Sequence, residues 1–124
     1  MPFIDMYVKQ GLSDLQIRKT VESVTAAVAG NLENTLPRMV RISVYEIPEN
    51  CCYAQGERAP SLKLQLGPGR SDEAVARCIE AVVSAVHESM DIPKEEVRFY
   101  VERVPGENFA IGGKLKNFNE KVKT

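Results

Sequence analysis

Two prolines, Pro2 and Pro60, offer this chain its most distinctive chemistry, and they are not chemically equivalent. Removal of Met1 would leave Pro2 as a free secondary amine able to accept a proton, whereas Pro60 is locked within the chain as a tertiary amide. Both stand in one recurring frame: Pro2, Gly11, Ser13 and Asp14 return as Pro60, Gly69, Ser71 and Asp72, each displaced by 58 residues. A unit of that size is too small to bury a core of its own and needs its twin. One copy can therefore carry a base that the other cannot. Other reactive residue types are sparse. Cys51 and Cys52 are adjacent and lack histidine or a further cysteine at ligand spacing, so no metal site is expected. An odd total of three cysteines reads as free thiols in a reducing compartment, with Cys78 as helix packing. The sole histidine, His87, reads as a helix-end or solvated group, and no Gly-x-Ser-x-Gly elbow supports a serine triad.

The elements that must position these residues follow from hydrophobic period. Ile4, Met6 and Val8 alternate with Phe3, Asp5, Tyr7 and Lys9, which predicts a strand with one buried face. Gly11 turns the chain, Ser13 and Asp14 cap a helix, and Ile17, Val21, Val24, Val28 and Leu32 recur at helical spacing for about five turns. Alternation resumes at Val40, Ile42 and Val44 until Pro48 stops it. The second unit repeats this order. Leu62, Leu64 and Leu66 form a strand and Gly67-Pro68-Gly69 a turn; the helix buries Val75, Ile79, Val82, Val86 and Met90; Val97, Phe99 and Val101 make the last strand before Gly112-Gly113. The chain thus reads as one α+β domain over 1–124, with a first β-α-β unit over 1–47, a linker over 48–60, and a second unit with its C-terminal tail over 61–124.

Two right-handed crossovers give a four-stranded sheet with both helices on one face, related by an internal pseudo-twofold. The other face still needs cover. Tyr7, Tyr45, Phe99 or their neighbours are expected there, and a closed ring, a homotrimer, is the economical way to hide them. Sixteen basic and seventeen acidic side chains give a net charge of −1, which offers no field for nucleic acid or an anionic membrane. The basic tail of Lys114, Lys116, Lys121 and Lys123 is interleaved with Glu120 and reads as a solvated terminus. With no secretory signal and no run of about 20 apolar residues, a cytoplasmic protein is expected.

Longer strings resemble a known family. Gly69-Arg70-Ser71-Asp72-Glu73, Asp91-Ile92-Pro93 with Val97-Arg98, and Asn108-Phe109-Ala110-Ile111-Gly112-Gly113, together with a proline after Met1, resemble the 4-oxalocrotonate tautomerase branch of the tautomerase superfamily. The resemblance covers nearly the whole chain and looks like a fused form, in which one polypeptide replaces a pair of short subunits. It implies a trimer and a cofactor-independent keto-enol tautomerase acting on a small 2-hydroxydienoate or enol-pyruvate-type acid. Pro2 would be the general base, which requires a neutral amine, favoured by burial and adjacent cations. Arg70 and Arg98 would be the catalytic guanidiniums, gripping a carboxylate or enolate in a two-pronged hold, with Arg98 supplied by a neighbouring chain. Phe109 would be an aromatic wall, with Ile111 and Arg41 as further substrate-binding residues.

The first unit departs from this pattern. Leu12 stands where the family has arginine, a cysteine (Cys51 or Cys52) falls at the aromatic position, and Arg41 alone survives, after one inserted residue. In the short family members the arginine and aromatic beside a proline come from the partner subunit. Pro2 would then look across to the intact second unit, and Pro60 to the depleted first, which implies one live site per chain. Two alternatives stand beside the tautomerase. A dehalogenase, hydratase or decarboxylase of the same family would need a carboxylate to activate water; the residue two past the aromatic is the apolar Ile111, leaving Glu107 or Glu57 to supply it. A non-catalytic trimeric binding or scaffold protein would be favoured by retention of Met1.

Overall fold

A computed structural model describes residues 2–51 and 60–115. Met1, Cys52, Glu57 and the lysines beyond Leu115 lie outside the described residues. β1 (Phe3–Lys9) leads into α1 (Asp14–Asn31) and β2 (Arg41–Ile47), and β3 (Ser61–Leu66) into α2 (Asp72–Met90) and β4 (Arg98–Arg103). The four strands form one sheet in the order β2-β1-β3-β4. β1 is parallel to β2 and β3 to β4, while β1 and β3 meet antiparallel at the centre. In that central pair Asp5 lies opposite Lys63, its own counterpart 58 residues on, so the pseudo-twofold passes through this pair.

Local chemistry sets the helix boundaries. Ser13 accepts from the Gln16 N–H while the Gln16 side chain accepts from the Ser13 N–H, a reciprocal capping box. Ser71 caps α2 by accepting from Ala74, and α2 ends at Asp91 in the left-handed conformation, φ 56°. Ile4, Met6, Leu62, Leu64, Val24, Val28, Val82 and Val86 are fully buried between the sheet and the helices. Each such side chain contributes about 1.5–3 kcal/mol by leaving water. α1 is rolled relative to its expected face: Thr20 is buried while Ile17 and Val21 are only half-buried. Its hydroxyl tolerates burial by donating to the Gln16 carbonyl at 2.7 Å. Cys78 packs in the core as expected, and His87 donates from Nδ1 to the Ile92 carbonyl at 2.6 Å, tying the end of α2 to the turn that follows it.

The opposite sheet face carries Tyr7 and Tyr45, 37% and 48% exposed, with rings stacked 5.0 Å apart. Phe99 does not join them. Pairing of Leu62 with Phe99 turns that ring toward the helices, and its neighbour Tyr100, 63% exposed, takes the open face instead. Beyond β4 a short hairpin, β5 (Ala110–Ile111) and β6 (Lys114–Leu115), closes on Gly112 and Gly113, both at positive φ. The sequence showed the glycine pair but not the strands on either side.

Candidate active site

The Pro2 end of β1 is enclosed from three directions. Pairing of Phe3 with Gln65 sets Pro2 beside Leu66, where β3 runs into the Gly67-Pro68-Gly69 turn. On the other side the Pro2 carbonyl accepts from the Arg41 N–H at 3.0 Å. From β4 the chain crosses back over this end: Val104 donates to the Leu66 carbonyl at 2.8 Å, and a short 3₁₀ turn at Gly106–Asn108 delivers Phe109. Its ring meets Phe3 edge-on, with centroids 6.1 Å apart at 61°. Phe3, Gln65, Leu66, Gly67, Val104, Asn108 and Phe109 line a hollow of about 260 Å³. Pro2 itself is fully buried.

Arg70 leaves the turn after β3 at this same end and is 9% exposed. Its Nη1 donates to the Pro68 carbonyl at 3.2 Å; Nη2 donates to the Thr35 hydroxyl at 3.1 Å and to the Asn34 carbonyl at 3.5 Å. Buried Nε has no hydrogen-bond partner among the described residues. Burial pulls the guanidinium below its ordinary pKa, with the charge of Glu33 opposing the shift. An arginine starts so high that it remains a cation at neutral pH.

The other expected residues fall in different places. Arg41, opposite Phe3, is exposed at the Pro2 end. Ile111 is exposed in β5, two residues past Phe109. Arg98 lies opposite Ser61 at the far end of the sheet, with its N–H on the Pro60 carbonyl, about 16 Å along the strands from Pro2. Within one chain the fold brings Pro2, Arg70, Phe109 and Arg41 to one end and sets Arg98 at the other. Sequence reasoning missed Gln65 and Asn108 in the lining and Glu33 and Thr35 beside Arg70. For Gln65 the signal was strand alternation, which puts it on the open face with Phe3. Among the described residues no cluster of His, Cys, Asp and Glu is arranged to hold a metal ion.

A four-stranded sheet with two helices on one face, built from twin β-α-β units, is the architecture of the fused tautomerase structures. No family model matches the chain. It is 39% identical over 54 residues to the 2-hydroxymuconate tautomerase of Pseudomonas putida, an alignment covering 44% of this chain and 86% of the relative, so the match is about one unit long. Among solved structures, a native fused 4-OT superposes with a TM-score of 0.85 at 21% identity, covering 91% of this chain and 94% of that one. A fused 4-OT described as an asymmetric trimer gives 0.86 at 20% identity over 98% and 99%. The chain belongs to the 4-oxalocrotonate tautomerase-like branch of the tautomerase superfamily, in its fused form.

Proposed function

We propose that this protein is a cofactor-independent keto-enol tautomerase for a small 2-hydroxydienoate or enol-pyruvate-type acid, with Pro2, freed of Met1, as its general base. The observation that carries the reading is the convergence of Pro2, the Phe109 wall and the buried Arg70 at one end of the sheet. An amine on the buried Pro2, beside apolar Leu66, is disfavoured as an ammonium, and the Arg70 cation at the same end of the sheet works in the same direction. The neutral amine takes the proton of the 2-hydroxyl and returns it to carbon, at C3 in a 1,3-shift or C5 in a 1,5-shift, with no change of oxidation state. Arg70 meets the carboxylate and the oxygen on which charge develops, and its buried Nε still lacks an acceptor among the described residues. Phe109 excludes water.

Arg98 serves the site only across an interface, because its own chain holds it at the opposite end. A homotrimer supplies it, and also covers the Tyr7–Tyr45 face. The 2-hydroxymuconate tautomerase name of the relative accords with this substrate class. The test is turnover of 2-hydroxymuconate and phenylenolpyruvate by protein whose first residue has been verified by intact mass. Pro2→Ala is expected to lower kcat by about 10²–10⁴-fold. A fully active Pro2→Ala protein would exclude the reading, and halide release from a 3-haloacrylate would favour the dehalogenase alternative.

A further inference from the structure

Arg70 is held by a segment of the other unit that is one residue longer than its counterpart at the Pro60 end. Buried Leu32 matches buried Met90, and left-handed Asn34, at φ 53°, matches left-handed Asp91, at φ 56°, so that Glu33 is the one extra residue and Thr35 stands where the other connection has Ile92. The inserted residue noted in the sequence falls in this longer connection. Glu33, Asn34 and Thr35 all meet the Arg70 turn. The Glu33 carboxylate accepts the Ser71 N–H through both oxygens, at 3.1 and 3.2 Å. Asn34, in the left-handed region at φ 53°, presents its carbonyl to Arg70 Nη2. The Thr35 hydroxyl donates to the Glu33 carbonyl at 2.9 Å, which commits its one proton and leaves its lone pairs to accept from Arg70.

From the second unit's own side, Arg103 braces the same turn, with Nη1 on the Arg70 carbonyl at 2.9 Å and Nη2 on Asp72 at 2.8 Å. At the Pro60 end each of these parts is missing. Leu12 replaces Arg70, the Ser13 N–H is satisfied within its own helix by Gln16, and Glu46, paired with Val8 as Arg103 is with Leu66, has no N–H to donate from its side chain. The holding groups and the guanidinium are thus present together or absent together.

We propose that Thr35, with Glu33 behind it, is a positioning residue of the active site: it presets the Arg70 guanidinium in the orientation that receives the substrate. This rests on the tautomerase reading above. Arginine is long and flexible, and ordering it only when substrate arrives would weaken binding and blur the geometry in the transition state. Thr35 is 8% exposed, so its bond to Arg70 is shielded from competing water.

The test is a double-mutant cycle on the trimer-competent full chain, read as kcat/KM for 2-hydroxymuconate. Thr35→Val is expected to lower kcat/KM about 10-fold, and Thr35→Ser, which keeps the hydroxyl, to stay within about 3-fold of the parent. In an Arg70→Ala background Thr35→Val should have no further effect, because nothing is left to position. Parent-like rates in Thr35→Val, or an equal loss in both backgrounds, overturns the inference while leaving the tautomerase reading intact. An unimpaired Arg70→Ala protein overturns both. If Thr35→Val does not fold, Thr35→Ala against Thr35→Ser makes the same comparison.

Discussion

Pro2 and Pro60 occupy matching backbone settings. Both side chains are fully buried, and each carbonyl accepts an arginine N–H at 3.0 Å, from Arg41 and Arg98 respectively. In the proposed enzyme, with Met1 removed, they differ in the bond on their nitrogen. Restoring a guanidinium to the twin turn therefore should not create a second centre: Leu12→Arg is expected to leave kcat per chain within about 20% of the parent, as an amide nitrogen has no basic lone pair. A doubled kcat would argue that Pro2 is not the base. Thiols make a second prediction at this scale. Burial pushes the Cys78 pKa up to about 11, whereas Cys51 is exposed. Iodoacetamide at about pH 8 should alkylate Cys51 in the native protein and reach Cys78 only after unfolding, as peptide mapping will report.

Elements were the most legible level in the sequence. Alternation at Ile4, Met6 and Val8, and at Leu62, Leu64 and Leu66, foretold the two central strands, and the serines at 13 and 71 foretold both helix starts. Leu64, paired with Ile4 and fully buried, should cost about 2–5 kcal/mol of unfolding free energy when changed to alanine, measured by urea titration. What escaped the sequence was contact between units: nothing in the string Glu33-Asn34-Thr35 says that it will fold onto a turn 36 residues away. Phe99 was misplaced for a related reason, since in a run of alternating large residues only pairing with Leu62 decides which ring faces the helices. The Glu33 contact also has a pH signature. Its bonds to the Ser71 N–H hold the carboxyl below its ordinary value of 4.5. The stabilisation is therefore complete above that value and is lost as pH falls through the lowered folded pKa. Glu33→Gln should flatten the fall in urea midpoint between about pH 5 and pH 3, and an unchanged acid limb would show the contact to be idle.

At the scale of the whole molecule, the uncovered tyrosine face and the distant Arg98 make one demand. In the proposed trimer both are answered by neighbours. Light scattering is expected to give a trimer mass, and Tyr7→Lys with Tyr45→Lys, placing two charges on the stacked pair, should yield monomers. Those monomers should keep their far-UV circular dichroism yet lose about 100-fold or more in kcat/KM, because no second chain brings Arg98 to the Pro2 end. Full activity in a verified monomer would refute a shared site. Calorimetric titration of the trimer with an unreactive dicarboxylate should count one bound ligand per chain.

The register that sets Asp5 against Lys63 has a consequence for how such a protein can change. An assembly of identical halves repeats every mutation on both sides of its axis. Joined end to end, the halves drift separately, so a turn can lose its cation on one side while the opposite connection lengthens to grip the cation that remains. Fusion in this way permits a division of labour between the halves, and here residues of the first half bond the turn that carries Arg70 in the second.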